Sequence, residues 1–307
     1  MATSPINNRD EWIEVMEPRL KKLFTYGLDS NEDWKKFWQE KQSDSRREEV
    51  AEFVKPDVTV ETPEGANYVT LNTSIVRTSA VVHVDYTGSI IITHQMKRDK
   101  KYDEMEAQNW GLGEAVARKP HEMAVALMYN GFSTSKSADE VAWFSNSHPL
   151  KNAPTLYGDN LITTALGPQG INDALVNLQS TLNENGKPVP MGSKKVKLFV
   201  PPTLAQLGRQ LTMKGDYLPN SANFNRNTFD LECIPLPFLN LCTASHQQTQ
   251  YYVQDSQYCE NYFYEREGPT YDMVTDPLND NTIIKVRHAF SFHVAGWRGT
   301  VGSTGLG

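Results

Sequence analysis

The stretch from Lys100 to Asn130 limits the possible folds of this chain more than any other. Tyr102, Met105, Asn109, Leu112 and Val116, then Met123 and Leu127, recur in steps of three and four, which sets them along one stripe of a helix. At 1.5 Å per residue, roughly 30 residues reach about 45 Å, the width of a whole domain. Such a helix is a spine on which other elements pack. Gly111, Gly113 and Pro120 interrupt the pattern and predict a bend or two collinear helices, and Asn130-Gly131 predicts a left-handed cap.

Before the spine, residues 10–54 read as helical and strongly charged, with Pro18 expected to bend or restart the first helix. Trp34, Phe37 and Trp38 fall on one helical face. Together with Trp12 they are a large aromatic area in a polar segment. They either pack on the chain's own core or dock on a neighbouring copy. From Val54 to Met96 the period changes to two. Val58 and Val60, Tyr68 to Leu71, Ala80 to Val84 and Ser89 to Thr93 read as strands. Those at 58–76 are short and polar on alternate positions, as in a protruding ribbon. A lone ribbon is marginal unless something covers it, which points to a partner.

After the spine, residues 131–169 are loop-like and residues 170–275 read as an α/β unit. Ile171, Ala174, Leu175, Leu178 and Leu182 mark a helix entered after Gly167-Pro168 and left at Asn185-Gly186. Lys195 to Val200 is a strand, and Pro201-Pro202 opens a helix bearing Leu204, Leu207 and Leu211. Ile284, Val286, His288, Phe290, Phe292 and Val294 then alternate with polar residues in the cleanest strand signal of the chain.

Composition excludes several classes. Thirty Lys and Arg face 37 Asp and Glu, a formal charge of −7, whereas a dedicated DNA-gripping protein usually carries a net positive field. Residues 1–55 hold ten basic and twelve acidic side chains, so the first segment is no nucleic-acid arm either. No apolar run approaches a membrane span, and the start lacks a signal-peptide core, so a soluble product inside the cell is expected. Cys233, Cys242 and Cys259 lack paired metal spacing. The sequence has no phosphate loop, dinucleotide fingerprint, HExxH or GxSxG. Cys242 and His246 are four apart but too few for zinc. His148 before Pro149 reads as a turn residue and His288 as a core histidine. The clusters at Arg46-Arg47 and Lys97 to Lys101 read as solvated or salt-bridged faces, and the acidic run Glu48, Glu49, Glu52 could pair with such a cluster on another copy. No residue is assigned to catalysis, to a cofactor or to a metal.

The order of parts and three local segments carry a resemblance. Phe144 to Pro149 (FSNSHP) resembles the stretch after the spine helix in Mu-like major head subunits. Leu198 to Leu204 (LFVPPTL) resembles their strand-to-helix step, and Lys285 to Phe290 with Gly296 to Gly302 (GWRGTVG) resembles their terminal strand and closure. Over roughly residues 45–307 the chain is therefore similar to the major capsid proteins of tailed bacteriophages. The resemblance implies an α+β, HK97-like capsid fold. It would have an N-terminal arm at 1–53 and an extended β-hairpin loop at 54–87. A peripheral domain would span 88–165 and 276–307, with its spine helix at 101–130, and an axial domain 166–275.

By the same resemblance the chain is a structural, non-enzymatic protein that self-assembles into hexamers and pentamers. These would form an icosahedral head shell around double-stranded phage DNA in the virion, assembled in the host cytoplasm. Its partner is chiefly itself, with portal, scaffolding and decoration proteins as further partners, weak non-specific contact with packaged DNA, and no membrane. An acidic chain suits a container that must not stick to its contents. The candidate interface residues are Trp12, Trp34, Phe37, Trp38, Arg46, Arg47, Val58, Val60, Tyr68, Leu71, Arg98 and Lys101. Two alternatives stand beside this reading: an encapsulin-type nanocompartment shell, and a soluble hydrolase using His148 with Asp159 or Glu140.

Overall fold

The structure, a computed structural model, describes residues 9–29, 32–54, 61, 63–67, 73–192, 196–212, 231–241 and 248–306, with side chains of the first helix from Met16 onward. Its helices are α1 (Arg9–Leu28), α2 (His94–Arg98), α3 (Tyr102–Tyr129), α4 (Pro168–Gln179) and α5 (Ala205–Thr212). Thirteen strands are described: β1 (Gln39–Gln42), β2 (Arg47–Phe53), β3 (Ile75–Val82), β4 (Val84–Ile92), β5 (His148–Pro149), β6 (Tyr157–Gly158), β7 (Leu161–Ile162), β8 (Val196–Val200), β9 (Glu232–Pro235), β10 (Tyr251–Asp255), β11 (Asn261–Thr275), β12 (Thr282–Val294) and β13 (Thr300–Ser303). One sheet has the order β1-β11-β12-β4, a second the mixed order β7-β13-β10-β8-β9, and β2-β3 form a separate antiparallel ribbon.

The spine is present as a single 28-residue helix, and neither its glycines nor Pro120 splits it. Its lower stripe is the expected one, because Met105, Asn109 and Leu112 are buried. Its upper stripe shifts to Ala124, Val125 and Met128, leaving Met123 and Leu127 half-buried. Gly113 is there for contact. A side chain on it would overlap the carbonyl of Phe24, and one on Gly27 would overlap that of Trp110. Backbone therefore meets backbone where α1 crosses α3. Around that crossing Met16, Leu20 and Phe24 of α1 pack with Met105, Leu112, Ile284 and Val286. The Asn109 amide donates to the Leu20 carbonyl, and Arg19 bridges Glu106 at 2.6 Å. Pro18 does not break α1; it lies on the exposed side of the helix.

The predicted left-handed cap is absent. Asn130 is right-handed (φ −77°), and Gly131 is small because a side chain would strike the Phe144 ring. The fourth helix ends at Gln179, short of the expected Asn185-Gly186.

The larger correction concerns residues 39–42 and 47–53, which are strands and not helix. The half-buried side of β2 carries Glu48, Val50 and Glu52, so two carboxylates occupy positions where alternation would show apolar residues. The period-two signal is hidden for that reason. In β12 the expected alternation holds from Ile284 to His288, after which both faces are covered. There β12 joins an aromatic core of Trp34, Phe37, Trp38, Trp143, Phe144, Phe199, Phe263 and Phe290. A separate core lies between α4, α5 and the second sheet, built on Ile171, Leu178, Leu198, Tyr251 and Val253.

His121 of α3 sits in the aromatic core, 4.4 Å from the Phe238 ring and 6.3 Å from Trp34. Burial pushes its pKa down to about 4, against the opposing pull of Asp33 and Glu122. The unfolded chain takes up this proton near pH 6.5 and the folded chain only near 4. Stability from this residue is therefore complete above 6.5 and falls by about 1.4 kcal/mol per pH unit as the pH drops toward 4. We expect His121→Phe to remove about one proton's worth of acid sensitivity in denaturant melts between pH 7 and 4.5. Identical pH slopes for the two proteins would contradict this.

Candidate functional site

The ribbon and its attachment to the body are the candidate site. β2 and β3 run antiparallel from the pair Arg47 and Val82 to the pair Phe53 and Ile75, with a register shift at Glu52. Serine–histidine contacts stitch the inner part of the ribbon to the body. Ser79 Oγ lies 2.7 Å from His293 Nε2, and His83 lies between Ser43 (2.9 Å) and Ser291 (2.8 Å). Burial lowers the pKa of both histidines, most strongly among the causes at each; Arg266 adds to it at His83 and Lys41 at His293, while Glu48 opposes it at His83.

Further out, Arg298 donates to Glu52 (2.8 Å), to Glu184 (2.6 Å) and to the Leu182 carbonyl (2.9 Å). Arg77 reaches the other oxygen of Glu52 (3.3 Å) and the Pro149 carbonyl (2.6 Å). Beyond this anchor the apolar side chains of Phe53 and Ile75 are 57% and 51% exposed and directly cross-strand. Cross-strand aromatic and β-branched pairs usually pack into a core, so this one is half-finished.

A buried polar node lies behind the anchor, and two of the three segments that carry the sequence resemblance, Phe144 to Pro149 and Gly296 to Gly302, meet there. The Asn160 amide donates to the carbonyls of Trp143 (2.8 Å), Trp297 (3.2 Å) and Thr300 (3.1 Å), and its oxygen accepts from the Ser145 N–H (2.9 Å). His148 contacts Asp139 at 2.6 Å and Asn160 at 3.1 Å, and its ring stacks on Trp297 at 4.6 Å. Burial works to raise the Asp139 carboxyl, but the His148 contact, the Ser137 hydroxyl and the Val141 N–H together leave it below its ordinary value. Gly158 leaves room for the Trp297 ring and Gly302 for Phe144. This node replaces the hydrolase picture. His148 is fully buried and paired with Asp139, while Asp159 caps the Leu161 N–H.

Asn160→Asp keeps the shape but removes the three donated bonds, so we expect it to destabilise the subunit by about 4 kcal/mol in guanidinium unfolding. A loss below about 1 kcal/mol would show that the node is not structural.

The predicted interface residues divide into three groups. Trp34, Phe37 and Trp38 are corrected. They are 3%, 1% and 4% exposed inside the chain's own core, because the turn at Asp33–Phe37 lays them on Phe263, Phe292 and Phe199. Arg46, Arg47, Arg98 and Lys101 are exposed; Arg47 pairs with Glu49, Arg98 with Asp99 and Lys101 with Glu104. Val58, Val60, Tyr68 and Leu71 lie outside the described residues, as do the side chain of Trp12 and the Cys242–His246 pair. The acidic run is also corrected in part, since Glu52 finds its arginines within the same chain. Sequence reasoning missed the Phe53–Ile75 pair, and exposed Tyr26, Trp110 and Leu278 as well. Among the described residues no helix is long and apolar enough to cross a membrane.

A body of mixed sheets on a long spine, with a ribbon that carries exposed apolar groups, has the layout of a shell-building subunit of HK97-like fold. The comparisons agree. A family model described as "Phage capsid protein" matches residues 77–303, and the chain belongs to that family. No curated protein matches it. Among solved structures, the capsid of cyanophage Pam1 superposes with a TM-score of 0.55 at 13% identity, covering 87% of each chain. The mature capsid of bacteriophage PhiM1 gives 0.54 at 11% identity, covering 89% of this chain and 87% of that one. The virus-like particle from Pyrococcus furiosus gives 0.53 at 10% identity, covering 93% and 98%. At these identities the likeness shows the fold alone. The protein is a structural capsid component and not an enzyme.

Proposed function

We propose that this chain is the major head subunit of a tailed phage, closing into hexamers and pentamers that tile an icosahedral shell around double-stranded DNA in the virion. The observation that carries the reading is the Phe53–Ile75 pair, which stays open to solvent on the described ribbon although the neighbouring Glu52 and Arg77 are held to the body. A second copy of the chain supplies its cover. The exposed cations Arg46, Arg47, Arg98 and Lys101 then lie at rims between copies, where they steer association more than they strengthen it. The assignments of arm (1–53), extended loop (54–87), peripheral (88–165 and 276–307) and axial (166–275) regions belong to the same reading, with the ribbon arms moved to Arg47 and Val82. Portal, scaffolding and decoration proteins are its further partners, and the host cytoplasm its place of assembly.

Sedimentation and electron micrographs of the expressed protein test this. Closed particles of megadalton size are expected, and a monodisperse monomer or dimer at high concentration would refute it.

A further inference from the structure

Two arginines and two glutamates at the outer part of the described ribbon come from four separate parts of the chain. Glu52 lies on β2, Arg77 on β3, Glu184 in the turn after α4, and Arg298 between β12 and β13. All are largely buried, with side-chain exposures of 11%, 19%, 4% and 13%. Glu52 divides its two oxygens between the arginines, taking Arg298 on one and Arg77 on the other. Glu184 takes Arg298 on one oxygen and the Lys151 N–H on the other. The Arg298 guanidinium lies 4.6 Å from the Trp297 ring, which in turn stacks on His148. The direction of both ribbon strands is thus tied through planar, bidentate-capable groups to the rigid polar node of the body.

Stability alone does not explain this network. Buried ion pairs seldom exceed apolar replacements in net stability, although removing one member leaves a costly unpaired charge. Burial pushes the Glu52 carboxyl above its ordinary value; Arg298 and Arg77 pull it down, Glu184 and Glu260 push it further up, and the rise persists. The carboxylate is worse off here than in water. The network provides geometry instead, and a two-stranded ribbon, marginal alone, needs that from outside.

We propose that Glu52, Arg77, Glu184 and Arg298 form a positioning clamp that holds the outer part of the described ribbon at a fixed angle to the body, so that every copy presents its Phe53–Ile75 pair in the same place. The proposal rests on the shell reading only for its consequence in assembly; the clamp itself is a property of one chain.

The experiment uses the full chain, unassembled at low concentration, with Arg77→Lys and Arg298→Lys combined so that charge is kept and the planar fork lost. Amide hydrogen exchange across 47–53 and 75–82 is expected to speed up by about tenfold or more, with β8 and β10 unchanged. A second variant, Glu52→Gln, Arg77→Met, Glu184→Gln and Arg298→Met together, removes all four charges. It is expected to melt within a few degrees of the parent and to show the same loosened ribbon. Unchanged ribbon exchange in the lysine variant would overturn the clamp. In assembly, both variants are expected to give particles of mixed size where the parent gives one. If the parent builds no particles while ribbon exchange still responds, the shell reading fails and the clamp stands.

Discussion

Replacing Trp34 by Ala is expected to lower the unfolding free energy of the subunit by about 4 kcal/mol, a large share of the roughly 5–15 kcal/mol that holds a typical protein folded. The ring is 3% exposed and stands edge-on to Phe263 at 5.1 Å and to Phe292 at 5.7 Å, with His121 of the spine on its other side. One turn thereby joins the spine to the two longest strands. Phe37 and Trp38 extend the contact, 4.9 Å from Phe199 and 4.8 Å from Phe292. Removing such a ring loses its transfer free energy and leaves a cavity that rigid aromatic neighbours cannot fill. Denaturant unfolding of the unassembled protein measures the effect directly. Particle yield should fall in step with subunit stability. An unchanged unfolding midpoint with loss of particles would instead mean that the ring works between copies.

Local one-sidedness made much of the fold legible. The spine and β12 each face a core along one stripe or one face, so their periods appear in the sequence. Legibility stops where a residue's environment is set by distant chain. The aromatic cluster at Trp34, Phe37 and Trp38 reads equally well as a docking surface or as core, because its burial is provided by Phe199, Phe263 and Phe292. The inward Glu48 and Glu52 of β2 spoil the strand pattern, and of the two arginines that answer Glu52 one lies 246 residues away. Asn160 carries no local signal at all, yet it joins two of the three segments that made the family recognisable. In the sequence these segments are separate likenesses; in the fold they share one polar node, with Trp297 stacked on His148. The candidate site was half-visible for the same reason. A ribbon lacking cover could be inferred from its polarity, but its anchored base and its exposed Phe53–Ile75 pair depend on pairing that no single segment reveals.

Deleting residues 55–73 and joining Val54 to Ser74 through an Asn-Gly turn is expected to leave subunit folding nearly untouched and to abolish stable shells. The structure indicates where to cut. The Val54 N–H donates to the Ser74 carbonyl at 2.8 Å, so the strands are already at hairpin distance there and a two-residue turn can close them. Val54 is buried and Glu52 and Arg77 hold the clamp, so a cut at 58–76, which the sequence alone suggests, would remove the start of β3 and damage the clamp as well. The shorter chain keeps all three described cores. Its melting temperature should stay within a few degrees of the parent, while sedimentation shows dispersed subunits or small rings in place of closed particles. Shell formation is a sum over many weak contacts in fixed geometry, so removing the ribbon beyond Val54 on every copy, even with the Phe53–Ile75 pair retained, reduces stability at every junction at once. If shells of normal size and stability still form, the ribbon beyond Val54 is not the contact between copies, and the retained Phe53–Ile75 pair, Trp110 and Tyr26 on the spine side and Leu278 at the β11–β12 turn become the places to look.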